Sequence, residues 1–370
     1  MRGRPALVTS YEAAQAPLRT TTTRVWFTAL LLFLIILPLQ LDAELNSLMA
    51  TAFLSAIGAI GLNLVTGWAG QVSLGHAFFI GVGAYTGAVV AGDPDGELAG
   101  LGLDMAIWLP AAGLAAALVG LAVAPLATRL RGLYLAIVTL GLVFLGGHLF
   151  REMTSVTGGA GIGREAPSLV LFGVDLETTS SIAGIALDRP MKLYLLSLAL
   201  LIVLALLSKN LTRSAVGRAF AAVRDRDLAA ETMGVDLTKY KLIAFTVSSF
   251  YAGIAGAMLA TVTGFIEPGT YDLLLSIQFL AMVLIGGAGT LVGVLMGAAF
   301  VSLLPRIVEE VPRLLPFITA ESSGGFLTTF QLQTMIYGAL IVVFLIVEPR
   351  GLFGLWVRVR NYFRAWPFSY

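Results

Sequence analysis

Residues 61–85 read GLNLVTGWAGQVSLGHAFFIGVGAY, an apolar run interrupted by six glycines and by Asn63, Gln71, Ser73 and His76. The hydropathy suits a bilayer, yet glycine weakens a helix and polar groups are costly in hydrocarbon. Two readings stay open. The spacing Gly67, Gly70, Gly75, continued by Gly81 and Gly83, either lets helix backbones pack closely or lets a helix break beside a cavity. The concentration of Asn63, Gln71, Ser73 and His76 at one place favours a pathway in this region, because polar side chains in membranes face bundle interiors or aqueous cavities. A second glycine-rich stretch, IGGAGTLVGVLMGAA at 285–299, interrupts apolar sequence in the other half with Gly286, Gly287 and Gly289. Paired interruptions in two halves point to a transporter built from internal repeats.

The whole chain of 370 residues is 58% hydrophobic and only 12% charged, against roughly 25% charged in a soluble domain. The chain therefore reads as an all-α integral membrane protein. Charge-poor windows near the 20 or so residues needed to span hydrocarbon fall at 25–41, 47–65, 72–90, 105–127, 133–150, 191–207, 242–265, 273–285, 291–304 and 332–347. The eighth and ninth are short and flank GGAGT, as half-length helices or a re-entrant element would. Eight to ten transmembrane helices follow, with broken or re-entrant glycine-rich segments.

Lys and Arg set the topology. Arg2, Arg4, Arg19 and Arg24 precede the first span, so residues 1–24 read as a cytoplasmic arm without apolar periodicity. A signal peptide is the alternative for the first span, disfavoured by the long arm and the lack of a small-residue cleavage site. Alternation then puts 42–44 and 93–97, which are acidic, outside, and Arg129 and Arg131 inside. It puts 151–190 outside, the basic segment 208–241 inside, and the tail 351–370 inside. Residues 25–350 form the membrane domain, and both termini are cytoplasmic.

The segment GRAFAAVRDRDLAAETMGVDLTKYKLIAF, 217–245, is rich in helix formers from Arg218 to Met233, and Gly234 suits the helix end. Phe220, Val223 and Leu228 with Ala221 and Ala229 form one apolar face. It is a solvated connecting helix or a knob that enters a groove on a soluble partner.

Several chemistries are absent from the pattern. There is no cysteine, so no disulfide or thiolate metal site. His76 and His148 share no metal spacing, and His76 reads as a hydrogen-bonded packing residue; no catalytic or metal-ligating set emerges. A net charge of +1 gives no basic field for nucleic acid. No GxxxxGK[ST] occurs, so ATP and Mg are not bound here through a P-loop. No Asp or Glu lies within a span, which argues against an ion-coupled carrier.

Taken with LNLVTGWAGQVSLGHAFFIGVGAY, TGGAGI at 157–162, GRAFAAVRD to GVDLTKYKLIAF, SIQFLAMVLIGGAGTLVG at 276–293 and EPRGLFGL at 348–355, the chain resembles the permease subunits of branched-chain amino acid ABC importers, the LivM branch more than the LivH branch. It departs from the usual pattern at EPGTYD, 267–272, and within TGGAGI. The resemblance implies a coupling helix that docks on an ATPase, carried here by Gly217, Arg218, Ala221, Arg224, Asp225, Ala229, Glu231 and Gly234. It makes Asn63, Gly67, Gly70, Gln71, Ser73, Gly75, His76, Gly286, Gly287 and Gly289 candidates for the translocation path or gate. It further implies a second homologous permease subunit, two ATP-binding cassette subunits that bind ATP and Mg, an extracytoplasmic solute-binding protein, and a bacterial inner-membrane location. The expected solute is leucine, isoleucine or valine; urea, short amides or other amino acids are the alternative within the class, and a channel or ion-coupled carrier outside it.

Overall fold

The computed structural model describes residues 21–96, 98–130, 132–182, 185–309, 318–319, 327–348 and 350–365. The arm to residue 20, Glu97 and Arg131 lie outside the described residues. Among the described residues, ten apolar helices appear where ten windows are expected. They are α1 (Thr21–Ile36), α2 (Ala43–Asn63), α3 (His76–Ala91), α4 (Met105–Arg129), α5 (Leu133–Glu152), α6 (Arg189–Arg213), α9 (Leu237–Thr263), α10 (Leu273–Gly286), α11 (Leu291–Glu309) and α12 (Thr329–Val347). Between α6 and α9 stand two short helices, α7 (Ala215–Asp225) and α8 (Asp227–Thr232), and α13 (Gly351–Ala365) ends the described chain.

Among the described residues, six helices are long and apolar enough to cross a membrane, and four more are apolar but shorter. The ninth window belongs to the longer class, since α11 runs to Glu309; of the pair flanking GGAGT only α10 is short. The third window also shifts. Helix begins at His76 rather than near Val72, because residues 69–75 run irregularly between a π-helical turn at Leu64–Trp68 and α3. With 16 residues, α3 is about 24 Å long at 1.5 Å per residue, and the irregular stretch supplies the remaining depth.

The core is made by α2, α3, α4 and α9. Lipid tails are as apolar as leucine, so association in a membrane relies on close packing and internal hydrogen bonds. Small residues provide the first: a Cβ at Gly83 would fall on the backbone of Gly253, and one at Gly61 would lie 2.6 Å from Tyr251 Cβ. Buried aromatics provide the second. Trp108 donates to the Ser168 carbonyl at 3.1 Å, and the hydroxyls of Tyr194 and Tyr251 donate to Leu34 and Leu204 at 2.9 and 2.8 Å. By contrast α5 is peripheral and exposes Leu133, Tyr134, Ile137 and Phe144.

Several of the described connections gather at two ends. At one end residues 92–96 and 98–104, residues 151–182 and the α9–α10 link meet: Arg164–Glu165 pairs antiparallel with Phe265–Ile266, and Ala166 N–H donates to the Gly264 carbonyl at 3.2 Å. Arg164, only 5% exposed, binds this end together by donating to the carbonyls of Val156 (2.7 Å), Ala88 (2.7 Å) and Ala99 (2.5 Å). Desolvation pushes its guanidinium below the ordinary arginine range, while the three carbonyls satisfy its donors. At the other end lie the break at 64–75, Leu130 and Gly132 between α4 and α5, α7–α8, the GGAGT turn and the start of α13.

Candidate functional site

The two glycine-rich interruptions, distant in sequence, meet at the basic end. Asn63 ends α2 at 2% exposure and accepts a bond from Gly289 N–H at 2.8 Å; its amide reaches the Thr290 carbonyl at 3.5 Å. Gly67, inside the π-helical turn, has no room for a Cβ, which would strike Asn63 and the Gly289 backbone. A π-helical turn leaves an i→i+5 ladder, seen here as Ala69 N–H to Leu64 carbonyl at 3.1 Å, and such turns concentrate at functional sites.

The basic segment joins the same place. Ser214 caps α7 by accepting from Val216 N–H at 3.1 Å, and α7 then runs to Asp225. From its last turn Arg224 donates through Nη1 to the Gly67 carbonyl at 3.1 Å and through Nε to Asp225 at 3.1 Å. Its stem lies against Gly70, where a Cβ would be 2.6 Å from Arg224 Cγ. Gly70 has φ +69°, a left-handed conformation that glycine adopts without penalty. A Cβ at Gly289 would also lie 3.1 Å from Arg224 Nη1. One side chain of the basic segment thus touches both interruptions.

Helix does not run unbroken from Arg218 to Met233. It stops at Arg226, whose φ of −156° and ψ of 99° are extended, and restarts as α8. The break rotates the second half. Phe220 and Val223 are buried as the periodicity predicts, but Leu228 is 64% exposed and Ala229 faces out, while Ala230 is the buried residue of α8. Gly234 ends α8 at φ +84°, with its N–H on the Glu231 carbonyl at 2.9 Å. Of the candidate coupling residues, Gly217 is buried against Thr212, Ala221 is half-buried and Arg224 turns inward. Arg218, Asp225, Ala229, Glu231 and Gly234 face outward beside Leu228 and Met233.

The remaining path candidates separate into roles. Ser73 and Gly75 prepare the start of α3: Gly75 is its N-cap and donates to Ser73 Oγ at 3.3 Å, and Leu74 N–H donates to Thr139 Oγ1 on α5 at 3.0 Å. His76 is 2% exposed, with Nε2 2.9 Å from the Gly58 carbonyl and its ring edge-on to Phe279, a packing histidine. Gln71 is buried with both amide atoms unpartnered among the described residues. Gly286 sits against Gly293 and Gly297, drawing α10 onto α11. Gly287, at φ +121°, closes α10 by donating to the Val283 carbonyl at 3.0 Å and abuts Arg350. Residues that sequence reasoning left out also serve this end. Thr139 and Thr290 anchor the two breaks, and the Glu348–Arg358 ion pair, with Glu348 buried, fixes the start of α13. Their signal was weak, since threonine and a lone glutamate at a span end are common.

A family model described as "Branched-chain amino acid transport system / permease component" matches residues 45–345. The chain belongs to this family of permeases. The permease is 31% identical over 347 residues to the high-affinity branched-chain amino acid transport system permease protein LivM of Escherichia coli (strain K12), covering 90% of this chain and 75% of that one. The Salmonella typhimurium LivM is 29% identical over the same shares. A shorter similarity, 32% over 118 residues and 30% of this chain, is to the autoinducer 2 import system permease protein LsrC of an Enterobacter species. No solved structure is significantly similar to the permease. It is a multi-pass membrane protein and a transport subunit rather than a catalytic enzyme.

Proposed function

We propose that this permease is one subunit of an ABC importer that carries leucine, isoleucine or valine across the bacterial inner membrane. The observation that carries the reading is Arg224, which links an outward-facing two-helix knob to the carbonyl of Gly67 inside a helix break and lies against the second break at Gly289. A knob that moves must drag those breaks with it. Leu228 and Met233, 64% and 85% exposed on α8 and the residue after it, give that knob an apolar tip suited to a groove on a soluble partner. Under this reading the partner is one of two ATPase subunits that bind ATP and Mg, and the basic end is cytoplasmic, as are both termini. Closure of the ATPases shifts the knob, the Asn63–Gly289 contact shifts with Gly67, and the cavity shared with a second, homologous permease subunit changes the side it faces. The gate is then the cluster of Asn63, Gly67, Gly70 and Gly289, with Gly286 and Gly287 as its hinge and Ser73, Gly75 and His76 as the seat of α3. An extracytoplasmic binding protein delivers the solute to the opposite end, where Arg164 holds the loops together.

The substrate follows from the names of the relatives, and uptake measures it. Vesicles carrying the assembled transporter and its binding protein are offered labelled leucine with excess isoleucine, valine, urea or phenylalanine. ATP-dependent leucine uptake competed by isoleucine and valine is the expected result. Uptake blocked only by urea or phenylalanine reassigns the substrate, and uptake without the ATPase refutes the importer.

A further inference from the structure

Beside the Arg224 junction lies a cleft of about 200 Å³, walled by residues 69–71 of the break, by Leu130, Gly132 and Leu135, and by the joint between α7 and α8. Gln71 lines it at 6% exposure, and neither Nε2 nor Oε1 has a partner among the described residues. Its own N–H is bonded to the Val65 carbonyl at 2.9 Å, so the residue is held in place. A buried primary amide with both ends open calls for a ligand that donates and accepts side by side. Two opposite charges stand on the same wall. Arg226 is exposed and outside any ion pair among the described residues, and Asp225, though touched by Arg224, keeps a side chain 67% exposed. Leu130 and Leu135 add an apolar surface. Asp227 and Lys241 also reach the cleft, each already engaged by another group.

We propose that this cleft binds the zwitterion of a small aliphatic α-amino acid. The carboxylate takes Arg226 and the Gln71 NH2, the ammonium takes Asp225 and the Gln71 carbonyl, and the side chain lies on Leu130 and Leu135. A plain carboxylate would set its charge against Asp225 and leave Gln71 Oε1 unpaired; a plain amine would face Arg226 in the same way. The volume, below the roughly 300–1,000 Å³ of drug-sized pockets, suits a small solute. Because Arg224 lines the cleft and also holds Gly67, a bound amino acid ties the α7–α8 joint to the break and resists the coupling movement. Imported amino acid accumulating on the cytoplasmic side would slow its own entry. The choice of an aliphatic amino acid and of the cytoplasmic side rests on the transport reading above.

The test is equilibrium binding of labelled leucine to the purified full-length chain in lipid nanodiscs, without binding protein, with isocaproate and isoamylamine as single-charge competitors. Millimolar leucine binding is expected, with both analogues about tenfold or more weaker, as the loss of one charged contact predicts. Gln71→Leu and the exposed-site variant Arg226→Ala should each weaken it to a similar extent; Arg226→Ala keeps the test valid if Gln71→Leu misfolds. Binding that is absent, unchanged in Arg226→Ala, or matched by isocaproate overturns the site. Uptake by the assembled transporter separates the two ideas. Leucine uptake without cleft binding removes this inference alone, whereas cleft binding of leucine and alanine without leucine uptake upholds the site and removes the transport reading.

Discussion

Replacing Arg224 by alanine should uncouple ATP hydrolysis from uptake while leaving the permease in the membrane. The guanidinium makes one charge-assisted bond to the Gly67 carbonyl at 3.1 Å and a second contact to Asp225 at 3.1 Å, and its stem fills the space over Gly70. A hydrogen bond to a charged group is worth about 1.5–3 kcal/mol when sheltered. The Arg224 side chain is 40% exposed, so solvent reduces this to about 1–1.5 kcal/mol, or roughly a five- to tenfold loss in the equilibrium linking the knob to the break. The Asp225 contact is at the surface and adds little. Arg224→Lys keeps the stem and one charge and should lose less than half as much, whereas Asp225→Ala should be near wild type in coupling. The assay is uptake per ATP hydrolysed in proteoliposomes holding the assembled transporter. An Arg224→Ala transporter with wild-type stoichiometry, or an Asp225→Ala transporter as impaired as Arg224→Ala, would refute the assignment of the link to Gly67.

Gly70→Ala should impair uptake on its own, since φ +69° costs a residue with a Cβ about 1–2 kcal/mol and that Cβ would meet Arg224 Cγ at 2.6 Å; uptake equal to wild type at equal expression refutes the close approach. Arg164→Leu should strip the carbonyls of Val156, Ala88 and Ala99 of a shared donor and loosen the end opposite the knob, raising hydrogen exchange over residues 98–104 and 155–166 without changing exchange at α7; unaltered exchange at those loops would show that other contacts hold them. In a chain with no native cysteine, single cysteines at Asp95 and Arg226 should label from outside and inside respectively with an impermeant reagent; the reverse pattern overturns the orientation.

Much of this architecture was legible in residue order alone. Ten apolar windows and their alternation follow from the cost of unsatisfied backbone in lipid, a constraint that acts on each segment separately. The glycine spacing left close packing and a helix break both open, and the structure uses both: Gly83 lies against the Gly253 backbone, whereas Gly67 and Gly70 lie in the break. The packing role of His76 could also be read, since a lone histidine without a spaced partner has no metal to hold.

What composition and spacing could not reach were relations between segments. Periodicity placed Leu228 on the inner face of one long helix; the extended backbone at Arg226 turns it outward, and nothing in that alternation of alanine and charge marks the break. Nor could the pattern reveal that the coupling and path residues share one junction. Asn63 and Gly289 lie 226 residues apart, and Arg224 is 157 from Gly67; their pairing depends on how α2, α9, α10 and α11 pack, which is decided by all the side chains of the bundle together. The sequence by itself determined the membrane class and the helices, because hydrophobic length is a local quantity. Only the tertiary structure decided which polar groups meet, because a hydrogen bond near 3 Å requires two backbones to be brought together from distant parts of the chain.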